Sequence, residues 1–526
     1  MRSFNPSINR MPAPVRLKRW SVLLIALVFA GVPVFATEPS STPSEDPRRV
    51  VRQAERLVRS GQFRDAEDLL RDAAVVHPEE SSIRLMLAHA LLKQRRIVEA
   101  YDISFEVAEA EPNNSRALAV LGSSLLAAGR FPEARQVFFA SIQLNRREAM
   151  AWSGFGLLEF YENSIDESLR NMREAVFHDP NNPDYIFSLA QISARAEQYK
   201  EAAEAYNRFL SVSRDSDDER RARIRALVSF LRYLGSRRGL YVPRGPDTVT
   251  VPFELVGNRP IIEVRVNRHR EPLRFVLDTG SGISVISDQT AERLRVRPIS
   301  RGGHARAVGG DGRFEIVYGF LERVGIGDLT MNNVPVYIRE FHGESAVKID
   351  GYIGLALISK FLATVDYGDL TFTLTHKDSR MAEEVRFENG VPLRLTSSGF
   401  LSGEVQLEGV ENPLNFIVDT GASISVISGE VASLDSVSPF IRDQRMRVIG
   451  AAGITDDVPS YLLPSISVGR HSRPSITAIA LDLGTINEAA GFEQAGILGG
   501  NFLRNYRMTF DFKNSKVAFV PIGSDR

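Results

Sequence analysis

Cysteine is absent from the sequence. Its absence excludes disulfides, thiolate nucleophiles, cysteine-based zinc sites and lipoprotein acylation. An excess of charge is missing too. The 64 Lys and Arg balance 65 Asp and Glu, for a formal net charge of −1. A near-neutral chain offers no electrostatic reason to bind nucleic acid. Histidine is sparse, with eight residues, and the sequence contains no HExxH pair, no P-loop and no complete dinucleotide fingerprint. Gly325-Ile326-Gly327 lacks a third glycine and reads as a turn. His89, within LAHALL, reads as a packed helix position. No metal and no cofactor is expected. What is present is the composition of a soluble globular protein, 43% apolar and 25% charged over 526 residues. That length exceeds one core and suggests about three or four domains.

The first 36 residues read as an export signal. Arg2, Arg10, Arg16, Lys18 and Arg19 precede SVLLIALVFAGVPVFA, after which the chain turns polar. A basic start, an apolar middle and a small-residue end are the parts of a secretory signal, with cleavage expected near Ala36. The apolar run is short for a membrane span and contains Pro33. The expected location is therefore outside the cytoplasm, most simply a bacterial periplasm. The alternative is a membrane anchor, if the segment stays uncleaved. Residues 37–47 follow as a linker.

A repeat organises residues 48–235. Steps of 34 from Ala66 reach Ala100, Ala134, Ser168 and Ala202, and steps from Phe63 reach Ile97, Phe131, Ile165 and Tyr199. Ala54, Ala88, Gly122, Gly156 and Ala190 keep the same period, as do Pro78, Pro112 and Pro180. Four registers in phase through five units describe a stack of helix pairs. The small residues let paired helices approach, and proline follows the second helix at 78, 112 and 180, with Arg146 in the one gap. This pattern resembles the tetratricopeptide repeat (TPR), which implies an all-α solenoid that binds a protein partner or peptide in its groove. Residues 217–235 read as a solvated end helix that closes the stack.

A linker at 236–247 leads to a different pattern, short apolar runs broken by Gly, Pro, Asn and Asp. Such runs predict strands. The region is written twice, at 248–377 and 378–526. FVLDTGSGISVIS (275–287) matches FIVDTGASISVIS (416–428), VPFEL (251–255) matches VPLRL (391–395), and TVDY (364–367) matches TFDF (509–512). Each copy also has a glycine-rich hairpin, AVGGDGRF (307–314) or VIGAAGIT (448–455), and an apolar-apolar-Gly turn, Tyr352-Ile353-Gly354 or Ile497-Leu498-Gly499.

This order of parts resembles the retropepsin-like (clan AA) bacterial aspartyl proteases, in two tandem copies. The resemblance implies an all-β bilobal pair behind the helical array, with one aspartate from each half in a shared active site. Asp278 and Asp419 are the candidate catalytic pair. Two carboxylates brought together cannot both ionise easily, so their pKa values split. One can then accept a proton from water while the other donates to a peptide carbonyl. Gly280 and Gly421 would let the loops turn tightly. By resemblance, Thr279 and Thr420 would lock the loops across the axis. Gly309, Gly310, Gly450 and Gly453 would lie in flaps that cover substrate. Ser281 stands where the second copy has Ala422, and in the two-lobed relatives a serine here donates to its aspartate. Asp278 is then expected to be the ionised member.

The expected function is that of an exported aspartic endopeptidase, taking protein or peptide substrate and needing no cofactor. The alternative is a non-catalytic peptide clamp or scaffold with a protease-like fold. A further alternative pairs each copy with its equivalent in another chain.

Overall fold

A computed structural model describes residues 46–213, 218–237, 239–342, 347–383, 387 and 390–523. The expected export segment 1–36 lies outside the described residues. No described helix is long and apolar enough to cross a membrane.

Ten helices pair up between Pro47 and Val212, and the second helix of each pair begins at Phe63, Ile97, Phe131, Ile165 or Tyr199. The 34-residue period is thus a period of structure. Ala66, Ala100, Ala134, Ser168 and Ala202 are fully buried where paired helices meet. The buried ring of Phe138 shows why small residues are needed there. A Cβ on Gly122, in the helix Ser115–Ala127, would lie 2.7 Å from that ring, and one on Gly154, in the next pair, would lie 2.1 Å from it. Ser168 keeps its place at the alanine position by donating its hydroxyl to the carbonyl of Gly156, at 2.7 Å. The array curls enough for ion pairs to join distant units. Arg59 meets Asp179 at 2.8 Å, and Lys93 meets Asp184 at 2.7 Å.

The end helix, Asp218–Gly235, is not the solvated cap expected for 217–235. Ile224, Val228 and Leu231 pack against the last repeat, while Ala226, Phe230 and Leu234 join the β core. Phe230 stacks on Tyr318 with ring centroids 4.3 Å apart. Ser300 Oγ donates to the Ala226 carbonyl at 2.6 Å. Gly303, at φ +69°, brings its backbone against Arg223, where a Cβ would lie 2.5 Å from the Arg223 Cβ. An 18-residue helix with apolar residues on two flanks has two surfaces to cover. Part of the expected linker is also structural. Leu240 and Tyr241 are buried, and the strand Val242–Arg244 pairs with Leu329–Arg339.

The two β copies repeat one plan. In the first, Leu273–Leu277 leads into the Asp-Thr-Gly loop and Ser284–Ser287 leads out, with Gly351–Ile353 pairing both strands. In the second, Leu414–Val418 and Ser425–Ser428 flank the loop, and Gly496–Leu498 pairs both. These strands are buried on both faces, which explains the largely apolar runs around each Asp. A short helix follows each apolar-Gly turn, at Leu355–Ile358 and Gly500–Leu503.

The copies then merge. Phe361–Asp366 pairs antiparallel with Tyr506–Asp511, so TVDY and TFDF meet at Thr364 and Thr509 and run in opposite directions. The hydroxyls of Thr364 and Thr509 are 2.9 Å apart. The boundary at 377/378 therefore falls inside a sheet built from both copies. The array packs on the second copy through Phe492, which is fully buried between Phe131 and Tyr161, at centroid distances of 4.9 and 5.1 Å. The Arg394 guanidinium lies 4.0 Å from the centroid of the Phe131 ring.

Candidate active site

Each Asp-Thr-Gly begins as its strand ends. The Asp278 amide donates to the Ile353 carbonyl and the Asp419 amide to the Leu498 carbonyl, both at 3.0 Å. The apolar-Gly turn of each copy thus sets the height of its own aspartate. The loops are then tied to one another. Thr279 Oγ1 donates to the Val418 carbonyl at 2.7 Å and accepts the Thr420 amide at 3.0 Å. Thr420 Oγ1 donates to the Leu277 carbonyl at 2.6 Å and accepts the Thr279 amide at 3.1 Å. Both threonines are buried, so all four bonds are sheltered from water.

This exchange brings the carboxyls together. A Cβ on Gly280 would lie 2.4 Å from the Asp419 carboxyl carbon, and one on Gly421 would lie 2.7 Å from Asp278 Oδ1. Only glycine leaves room for each carboxyl against the opposite loop. Asp278 accepts the Gly280 amide on Oδ1 at 2.9 Å and the Ser281 hydroxyl on Oδ2 at 2.6 Å. Asp419 accepts the amides of Gly421 and Ala422 on Oδ1 alone, at 2.7 and 3.2 Å. Ala422 has no hydroxyl to give.

That difference biases the protons. Burial raises the pKa of Asp278 above the ordinary carboxylate value, opposed by the hydrogen bonds from Ser281, Asp419 and Gly280. Burial raises Asp419 well above that value, and the neighbouring charge of Asp278 raises it further. Both directions favour Asp419 over Asp278 as the holder of a lone proton.

The glycine-rich hairpins reach over the same cavity, which measures about 2140 Å³. Gly309 and Gly310 lie at the tip between Ser300–Arg306 and Arg313–Ile326, and Gly450 and Gly453 flank the tip of the other hairpin. The tips touch. The Ala452 amide donates to the Val308 carbonyl at 3.0 Å, and a Cβ on Gly450 would lie 2.1 Å from that carbonyl oxygen. Of the twelve residues expected at the site, Asp278, Gly280, Ser281, Asp419, Gly421, Ala422 and Gly450 line this cleft. Thr279 and Thr420 are buried in the loops, and Gly309, Gly310 and Gly453 meet where the hairpin tips touch. No group of His, Asp and Glu among the described residues could hold a metal ion.

An aspartyl protease family model matches residues 262–357 and 403–502, and tetratricopeptide repeat models match 57–122 and 154–219. The chain carries two tandem aspartyl protease domains behind a TPR array. The protease matches span both loops and both apolar-Gly turns. No curated protein matches the chain. Among solved structures, the chain is similar to a thermophilic TPR protein of Thermus thermophilus. That match has 18% identity and a TM-score of 0.30, and covers 35% of this chain and 98% of that one. PilF of Pseudomonas aeruginosa matches at 17% identity over 36% of this chain and 83% of that one, with a TM-score of 0.28. MamA of Desulfovibrio magneticus RS-1 matches at 22% identity over 32% and 96%, with a TM-score of 0.23.

Two arginines of the cleft lie outside any motif in the sequence. Arg339 and Arg259 line the cavity, and Tyr352 lies close enough to feel both arginines and both aspartates. Tyr352 differs from its counterpart Ile497 in the second copy, which is the one trace of this cluster in the sequence. The end helix adds Glu219 and Arg223 to the wall, a placement that only docking reveals.

Proposed function

We propose that the protein is an aspartic endopeptidase whose dyad is Asp278 and Asp419. The observation that carries this reading is the pair of carboxyls held together by the reciprocal threonine bonds, with different donors on each. Asp278, ionised and stabilised by Ser281 and Gly280, takes a proton from a water molecule. That water attacks the scissile carbonyl carbon while protonated Asp419 donates to the carbonyl oxygen. Collapse of the tetrahedral intermediate breaks the C–N bond. The proton gained by Asp278 goes to the leaving amine, and a hydroxyl of the intermediate returns its proton to Asp419 as the new carboxyl forms. The hairpin tips cover the extended substrate and limit access of bulk water. A cleft in which burial and a neighbouring carboxyl favour the neutral form of one aspartate suits acid–base hydrolysis better than passive clamping of a peptide.

We further propose that the protein is exported to the periplasm, with cleavage near Ala36, and that the TPR array presents a protein partner or substrate to the cleft. Export is supported by the basic and apolar order of residues 2–36. Presentation is supported by the end helix, which belongs to the array and the cavity wall together.

The test is cleavage of denatured proteins or a peptide library by wild type, Asp278→Asn and Asp419→Asn. Loss of cleavage in both variants is expected. Cleavage surviving in either one overturns the shared dyad. A wild-type protein that binds peptides without cutting them identifies a clamp.

A further inference from the structure

Arg339 ends the strand Leu329–Arg339 and enters the cavity near Asp278. Its Nη1 donates to the carbonyls of Glu340 and Ala451, at 3.2 and 3.1 Å. Ala451 lies at the tip of the second hairpin. The guanidinium also sits near the rings of Phe314, Phe341 and Tyr352, with centroid distances of 5.7, 4.8 and 5.6 Å. Carbonyls and ring faces hold a cation without neutralising it. Among the described residues, no carboxylate forms an ion pair with Arg339. Burial pushes its pKa below the ordinary value, opposed by Tyr352 and Asp278.

Arg259 is a second, half-buried cation. It opens the strand Arg259–Val266 on the same cavity, and it too has no ion pair among the described residues. Its Nε is buried with no hydrogen-bond partner. A guanidinium withdrawn from water is costly unless a negative group meets it. The dyad supplies only part of that charge. The charge of Asp278 acts on Arg339, but among the described residues neither aspartate forms an ion pair with Arg339 or Arg259. The rest of the wall adds to the imbalance. Nine Arg and Lys side chains line the cavity, against four Asp and Glu besides the dyad.

We propose that Arg339 and Arg259 form a subsite for a carboxylate side chain, so that the protein cleaves peptides bearing Asp or Glu close to the scissile bond. This rests on the proteolytic reading of Asp278 and Asp419. A guanidinium offers parallel N–H donors matched to the two oxygens of a carboxylate. The bond from Arg339 to Ala451 places the second hairpin over this subsite, so the bound side chain is shielded from water when the tips meet. Arg339 and Arg259 determine specificity here, while the dyad performs the chemistry.

The test begins with cleavage sites mapped in a mixture of denatured proteins. Matched peptides then carry Glu or Gln, and Asp or Asn, at each position flanking a mapped site. Wild type is expected to prefer the acid over its amide at one fixed position by about tenfold to a hundredfold in kcat/KM, the range of a charge-assisted bond. Arg339→Met and Arg259→Met should each bring that ratio towards one, and Arg339→Lys should keep part of it. If Arg339→Met does not fold, the Arg259→Met ratio decides. Cleavage by wild type without acidic preference overturns the subsite and leaves the protease standing. So does a preference that survives in the folded variants. If Arg339 acts only on Asp278, the pH profile shifts for every peptide alike and the ratio stays, which also overturns the subsite. Absence of any cleavage by wild type removes the proteolytic reading, and the subsite with it.

Discussion

Thr279 and Thr420 each donate a hydroxyl to the strand that carries the other and accept the other's amide. Neither loop has this arrangement alone. Thr279→Val, which keeps the shape and removes the hydroxyl, leaves the Val418 carbonyl and the Thr420 amide without that partner in a buried place. The expected loss is about 1–3 kcal/mol in urea unfolding, with proteolysis falling more steeply than stability. Thr279→Ser, which keeps the hydroxyl, should retain most of both. Equal behaviour of Val and Ser at 279 contradicts the role of the bond.

Ser281 and Ala422 make the two halves unequal. The Ser281 hydroxyl stabilises the ionised form of Asp278, so its removal raises that pKa. In Ser281→Ala the acid limb of kcat/KM against pH is expected to move to higher pH, with a loss of about tenfold on that limb. Ala422→Ser adds a donor beside Asp419, lowers its pKa and should narrow the profile from the basic side. Profiles that coincide with wild type refute this division of labour.

Asp419 also links stability to pH. Its folded pKa lies well above the ordinary value of 3.8. Its contribution to stability is therefore complete below the unfolded pKa and is lost as pH rises through the folded value. Asp419→Asn stays neutral throughout. It should melt roughly 2–4 °C above wild type at neutral pH, with the gap closing in acid. Thermal melts at several pH values measure this. A constant gap shows that Asp419 has the same pKa in the folded and unfolded states.

Phe492 joins the array to the second protease copy. It is fully buried between Phe131 and Tyr161. Phe492→Ala is expected to cost about 3–5 kcal/mol. Unfolding of the array, followed by helical circular dichroism, should then separate from unfolding of the β region, followed by limited proteolysis. A single unchanged transition means that the contact carries little energy.

Much of this was legible in residue order. The 34-residue period carried by Ala66, Ala100, Ala134, Ser168 and Ala202 specifies helix pairs, because a small residue at that step is what lets two helices touch. The doubled Asp-Thr-Gly, with its apolar flanks, specifies two equivalent loops, because a short apolar strand on either side of an Asp must be covered by neighbours. Local periodicity and duplication are properties of the chain itself, so they can be read from it.

Only the tertiary structure decided what those parts face. The end helix carries charges that suggest solvent, yet Phe230 stacks on Tyr318 because its second apolar flank has a sheet to cover. Residues 240–244 look like a linker, but they are buried or paired. Arg259 and Arg339 are 80 positions apart in ordinary strands, and no spacing rule joins them. Closure of the sheet sets both on the wall of one cavity. A repeat or a motif is written along the chain, whereas a charge gains its meaning from what surrounds it. That surrounding is made by packing between residues far apart in sequence.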